Sequence, residues 1–247
     1  MKKKIKHSRR SRTGQVTGDY DGEINNKDLP HGKGKCIFED GLVYKGSWIN
    51  GKREGTGKMT FPNKDYYEGE WKNDAPNGKG EHSIGGEYYE GDFVEGNRHG
   101  KGKYIWIKEN TKYVGEFVDN LKHGLGIFYD ENDSVYEGNW SEDKRHGPGK
   151  ITLKDGSSIS GFFNDTEIEG EATMKLSGGE NFKGKYKDLL SINKLPQKAK
   201  EQLIKNWKKK MTKLSEEKKK RYGFTLEDPK IDKEIDIWIE ERWNLGG

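Results

Sequence analysis

The chain has 247 residues, of which 29% are hydrophobic and 36% charged, and its mean hydropathy is −1.16. Such averages belong to disordered chains, but 7 Trp, 12 Tyr, 9 Phe and 34 Gly do not, so the residues are patterned. The single cysteine excludes an internal disulfide and any Cys-based zinc cage, no apolar run approaches the ~20 residues of a membrane span, and the net charge of +4 is unevenly placed.

Residues 1–12 hold seven Lys/Arg and no acid, and no apolar h-region follows them. We expect a basic, flexible tail over residues 1–17 and no secretory leader. Such a tail has the charge to meet acidic tubulin tails, nucleic acid or anionic lipid. Residues 13–187 carry 24 Lys/Arg against 31 Asp/Glu, a net of −7, and 31 of the 34 glycines lie before residue 188. Residues 188–247 return to +4. The composition change at 187/188 marks a domain boundary.

The acidic middle is a repeat. An aromatic residue, any residue and Gly recur at Tyr20, Tyr44, Tyr67, Tyr89, Tyr113 and Tyr136, at steps of 24, 23, 22, 24 and 23 residues. The register continues, degraded, at Ile159 and Phe182. The clearest copy runs Tyr67-Glu68-Gly69-Glu70-Trp71 and then Asn77-Gly78-Lys79-Gly80. Alternation places Tyr67, Gly69 and Trp71 on one face of a strand and Glu68 and Glu70 on the other. After each Gly-x-Gly a second strand alternates likewise, with Met59, Tyr104 and Ile151 inward and Lys58, Lys103 and Lys150 outward. Asn50-Gly51, Asp40-Gly41, Gly85-Gly86 and Asp155-Gly156 supply turns. Each repeat is thus a β-hairpin. A glycine inside the first strand is expected to lie under a large ring from an adjacent repeat.

The motifs YKGSW, YEGEW, YEGDF, YVGEF and YEGNW with their following Gly-x-Gly resemble the MORN repeat (membrane occupation and recognition nexus), over residues 18–187. Seven copies keep a recognisable second half, and Phe182 opens a truncated eighth. The fold expected is an all-β repeat: an elongated single-layer antiparallel meander of MORN hairpins, on the order of 70 Å long, followed by a short α-helical C-terminal region.

The remaining motifs have plain structural readings. His31, His99, His123 and His146 each precede a Gly-x-Gly, but neighbouring copies would stand ~10 Å apart, too far to share a metal. They are read as turn residues. The Gly-x-Gly is followed by a strand where a phosphate cradle needs a helix. Cys36 occupies the inward position held by Met59 elsewhere and is read as core. No nucleophile motif is present, so we expect neither enzyme activity nor a cofactor or metal.

Residues 188–247 read as a helical extension, with helices near 196–222 and 229–243. Pro196 suits a start and Gly223 a stop, while Leu203, Trp207, Met211 and Leu214 form one stripe. Ile231, Ile235, Trp238 and Ile239 define a face of the second. These helices are read as a cap on the open sheet edge or as a docking element.

The resemblance implies a non-catalytic scaffold in the cytoplasm, in cytoskeletal or ciliary assemblies such as axonemal radial spokes. Its expected partners are proteins, held by an aromatic groove. The candidate contact residues are Tyr20, Tyr44, Trp48, Tyr67, Trp71, Tyr89, Phe93, Tyr113, Phe117, Tyr136 and Trp140, with Leu203, Trp207, Met211, Leu214 and Trp238 from the helices. Whether the rings are core or groove wall is open in the sequence. Two further readings are a peripheral adaptor whose basic termini meet acidic lipid and a regulatory subunit of an enzyme. The sheet edge or the groove offers a route to a homodimer. An acidic array disfavours specific nucleic-acid binding.

Overall fold

The structure, a computed structural model, describes residues 2–11 and 14–190. The described residues divide into two compact units, one up to Gly147 and one from Pro148. The first holds β1 (Lys2–Ser11), β2 (Gly14–Ile24), β3 (Pro30–Phe38), β4 (Val43–Ile49), β5 (Lys52–Thr60) and β6 (Tyr66–Lys72). It continues through β7 (Ala75–Ile84), β8 (Glu87–Val94), β9 (Asn97–Trp106), β10 (Thr111–Val118), β11 (Leu121–Tyr129) and β12 (Val135–Ser141). Strand β13 (Lys144–Thr152) spans the division, and the second unit holds β14 (Ser158–Asn164), β15 (Glu167–Lys175), β16 (Asn181–Lys185) and the short helix α1 (Tyr186–Leu190). Within each unit the strands lie in chain order, each antiparallel to its neighbours. The all-β meander expected from the repeat is present. The helices expected near 196–222 and 229–243 lie outside the described residues.

The basic N-terminus is not a free tail. Residues 2–11 form β1, paired without a register break from Lys2↔Glu23 to Ser11↔Gly14. The acidic composition of the array explains why: Lys3 meets Asp28 at 3.1 Å, Lys6 meets Asp19 at 3.0 Å, and Arg9 pairs with Asp40. Exposed pairs of this kind are worth ~0–1 kcal/mol each, so the backbone ladder and the His7 ring, edge-on to Trp48 at 5.2 Å, share in holding the strand.

One row of glycine runs across the first unit: Gly22, Gly34, Gly46, Gly57, Gly69, Gly80, Gly91 and Gly102 face one another strand by strand. The sequence predicts that a neighbouring repeat covers this backbone. Instead the tyrosine of the same hairpin does so. A Cβ added at Gly80 would lie 2.7 Å from Cζ of Tyr67, and one added at Gly102 would lie 2.5 Å from Oη of Tyr89. The phenol is drawn down by its hydroxyl, which donates to the carbonyl three residues on: Tyr67 to Glu70 at 2.8 Å, Tyr89 to Asp92 at 2.9 Å, Tyr136 to Asn139 at 2.9 Å. Ring and bare backbone therefore specify each other. In the β14–β15 hairpin Ile159 replaces the tyrosine, and Ala172 stands opposite Gly161; without a phenol to seat, the methyl is tolerated and buried.

Neighbouring hairpins are joined by turn chemistry. Asn50-Gly51, Asn73-Asp74, Glu95-Gly96, Asp119-Asn120 and Glu142-Asp143 have positive φ at both positions, the geometry whose twist matches paired strands. The second turn residue donates its N–H to the preceding repeat: Gly51 to Pro30 O at 2.8 Å, Asn120 to Arg98 O at 3.0 Å, Asp143 to Lys122 O at 3.1 Å. The residue before each Gly-x-Gly contributes to the same joint. His31, Glu54 and Asn77 accept from the N–H of Asn50, Asn73 and Glu95, which gives the histidine position a hydrogen-bonding role between repeats.

Gly80→Ala is expected to cost about 1–3 kcal/mol in urea unfolding, because the Tyr67 ring must move. Gly184→Ala, with its nearest neighbour atom at 3.9 Å, should change stability little. His82 gives a pH signature. It is half-buried against Tyr89, Phe93 and Tyr104, and burial, with the Arg98 charge adding, pushes its pKa down to about 4 from 6.5. Its neutral form is favoured by the fold, so the associated stability is complete above pH 6.5 and falls as pH drops toward 4. His82→Met should flatten the melting temperature across that window.

Candidate functional site

Two faces must be compared for the site. On the inward face, Tyr and Trp or Phe alternate in edge-to-face contacts: Tyr20–Trp48 at 5.4 Å, Trp48–Tyr44 at 5.0 Å, Tyr44–Trp71 at 5.2 Å, Trp71–Tyr67 at 5.1 Å and Tyr67–Phe93 at 5.1 Å. The chain of rings continues through Tyr89, Phe117, Tyr113 and Trp140 to Tyr136. Each such pair adds about 0.5–1.5 kcal/mol beyond area burial. Indole N–H groups bond across the repeat boundary, Trp71 to Gly57 O at 2.9 Å and Trp140 to Gly126 O at 3.3 Å.

Cations close this face. Arg53 lies 4.5 Å from the Trp71 centroid, Arg98 lies 4.4 Å from that of Tyr104, and Lys122 lies 4.6 Å from that of Trp140. Each is the cross-strand neighbour of an aromatic residue, Arg53 of Trp48, Arg98 of Phe93 and Lys122 of Phe117. Burial lowers the pKa of Arg53 and of Lys122, opposed by Asp74 and Asp143 respectively. Asp74 holds Arg53 Nε at 2.9 Å.

The eleven predicted rings Tyr20, Tyr44, Trp48, Tyr67, Trp71, Tyr89, Phe93, Tyr113, Phe117, Tyr136 and Trp140 are between 0 and 7% exposed. They form the core, so the aromatic groove expected from the sequence is closed by the protein's own rings and cations. Burial pushes the phenols of Tyr20 and Tyr136 up to about 12 and those of Tyr44, Tyr67, Tyr89 and Tyr113 further. Leu203, Trp207, Met211, Leu214 and Trp238 lie outside the described residues. Cys36 is fully buried, in register with Tyr20 and Tyr44, and its thiol is pushed up to about 11 by burial. Among the described residues no group of three or more His, Cys, Asp and Glu is placed to hold a metal, and no helix is long and apolar enough to cross a membrane.

Among the described residues, nothing covers the outward face. A groove of about 880 Å³ crosses β2 to β6, floored by the backbone of Gly22, Gly34, Gly46, Gly57 and Gly69 and walled by Asp21, Lys33, Lys35, Lys45, Lys58 and Glu68. A second, of about 540 Å³, crosses β6 to β9 between Glu68, Lys79, Glu81, Glu90 and Lys103. The walls are the residues on either side of each glycine in the strand, so they stand about 7 Å apart. That width admits an extended chain and excludes an α-helix about 10 Å across. Farther along, Val114, Ile127 and Leu125 replace the charges, with Leu125 63% exposed. Sequence reading placed Glu68 and Lys58 outward but missed the groove, because its walls come from residues about 10 to 20 positions apart that only strand pairing aligns.

A description of the MORN repeat matches six segments, residues 20–43, 44–66, 67–83, 89–111, 113–135 and 136–158. No curated protein matches the chain. Among solved structures, the TCP domain of Drosophila melanogaster SAS-4 (dCPAP), in complex with a proline-rich motif of Ana2 (dSTIL), is 14% identical over 74% of this chain and 89% of that one, with a TM-score of 0.41. A point mutant of the TCP10 domain of Danio rerio CPAP is 11% identical over 71% and 91%, with a TM-score of 0.31. Overlaps this shallow transfer neither geometry nor partners to this chain.

Cys36 should resist iodoacetamide in the native protein at neutral pH and react once urea unfolds the array. Alkylation at the rate of a free thiol would show that the ring face opens.

Proposed function

The chain belongs to the MORN-repeat family, and on that premise we propose that it is a non-catalytic scaffold that binds protein partners along the outward, glycine-floored face of its array. The observation that carries this reading is the contrast between the faces. The rings are sealed, whereas the outward side carries two open grooves, walled by charged side chains, that meet at Glu68 and together cross β2 to β9. A narrow groove with a side-chain-free floor and charges on its walls suits an extended polypeptide segment that carries charged side chains of its own. The family resemblance supports a cytoskeletal or ciliary assembly as the setting.

The lipid reading loses part of its motive at the N-terminus. The lysines of β1 are laid along the sheet and face Asp19, Asp21 and Asp28, so they do not make an unpaired polybasic segment of the kind that anionic membranes attract.

Cross-linking mass spectrometry on the full chain in native extract tests the proposal. Partner cross-links are expected at Lys33, Lys35, Lys45, Lys79 and Lys103, the groove lysines. Partner cross-links confined to residues away from this face would refute it.

A further inference from the structure

Strand pairing sorts the charges of the outward face into blocks. In the row beside the glycines, which Asp21 opens opposite Lys35 and Lys103 closes opposite Glu90, Lys35, Lys45 and Lys58 stand opposite one another on three successive strands. Glu68, Glu81 and Glu90 follow on the next three. Like charges directly opposite in an antiparallel sheet destabilise it, and an alternating order would have been favourable, so the free protein carries an avoidable repulsion. Internal partners relieve part of it: Lys58 meets Glu68 at 2.8 Å where the blocks join, and Glu81 accepts from the hydroxyls of Tyr66 and Tyr88 at 2.9 and 2.8 Å. Among the described residues, no carboxylate lies within ion-pair distance of Lys35 or Lys45. Lys33, on the opposite wall, adds to the basic block and bonds to Ser47.

Resting on the scaffold reading above, we propose that the groove selects an extended protein segment with an acidic block followed, in either chain direction, by a basic block, laid across the strands over Lys35–Lys45 and then over Glu68–Glu90. The outer strands of three lie about 10 Å apart, and an extended residue advances ~3.3 Å, so each block is three to four residues long. The same order disfavours uniform polyanions: a nucleic acid or an anionic membrane drawn to the lysines is repelled by the three carboxylates beside them. The charge order sets specificity more than bulk affinity.

Fluorescence anisotropy with the full chain at low salt tests this. The probes are a labelled peptide of three Glu, a Gly-Ser link and three Lys, and a second peptide of the same composition with Glu and Lys alternating. The block peptide should bind about tenfold more tightly, with an advantage that shrinks as salt rises. Lys45→Glu should remove that advantage while raising the melting temperature, since it breaks the lysine row into alternating charges; a residue serving stability alone would not move the two readouts in opposite senses. Equal affinity for the peptides, no binding by either, or preferential binding of oligouridylate or phosphatidylserine vesicles would overturn the assignment. The scaffold reading fails separately. If native cross-links map to this face while the peptides are not distinguished, the groove stands and the charge code falls; if cross-links lie elsewhere, both fall.

Discussion

The fold depends on a tyrosine ring resting directly on paired glycine backbone. The phenol hydroxyl reaches the carbonyl three residues ahead, and that reach carries the ring across the strand and over its neighbour, where any Cβ would collide with it. Once the ring lies flat, its edges are free to meet the indole or phenyl of its own repeat and of the next. Among the described residues, a single sheet thereby acquires a core without a second sheet or a layer of helices. The degraded β14–β15 hairpin shows the dependence from the other side, since loss of the ring at Ile159 coincides with relaxation of the glycine at Ala172.

A one-layer sheet would ordinarily leave its apolar face wet. Here the face is finished by Arg53, Arg98, Lys122 and Arg145, whose charged heads lie over the Trp71, Tyr104, Trp140 and Tyr136 rings, with Asp74 and Asp143 of the turns beside Arg53 and Lys122. At about 0.5–2 kcal/mol for each cation over a ring, this covering rivals the edge-to-face contacts themselves and exceeds the exposed ion pairs along β1. Its consequence for function is displacement. With the rings enclosed, the proposed recognition moves to the opposite face, where, among the described residues, no layer covers the strands and charged side chains stand in rows.

Those rows show how the demands of the fold and of binding differ. The turns, glycines and rings repeat with little variation because each is fixed by a close contact. The outward positions meet one another and nearby phenols, as Lys58 meets Glu68 and Glu81 meets Tyr66 and Tyr88, but none is wedged against backbone, so their identities vary from Lys45 to Glu68 to Val114 without changing the hairpin. Variation that costs the fold little, and in the lysine and glutamate rows works slightly against it, is where specificity can be written.

The hairpins, their turns and the one-sided pattern of Tyr67, Gly69 and Trp71 were legible in the sequence, because a contact that recurs in every copy leaves a periodic trace. Whether those rings were core or groove was not legible, since the residues that enclose them, Arg53 above Trp71 and Lys122 above Trp140, sit about 18 positions away along the chain. That the basic start is a strand was not legible for a related reason: Lys2–Ser11 has no repeat signature, and what holds it is the edge of β2, the Trp48 ring and aspartates from distant positions. The linear order of residues thus determined which side chains each hairpin buries. The pairing of strands decided which charges became neighbours, because a cross-strand row gathers one residue from each strand and no stretch of sequence contains it.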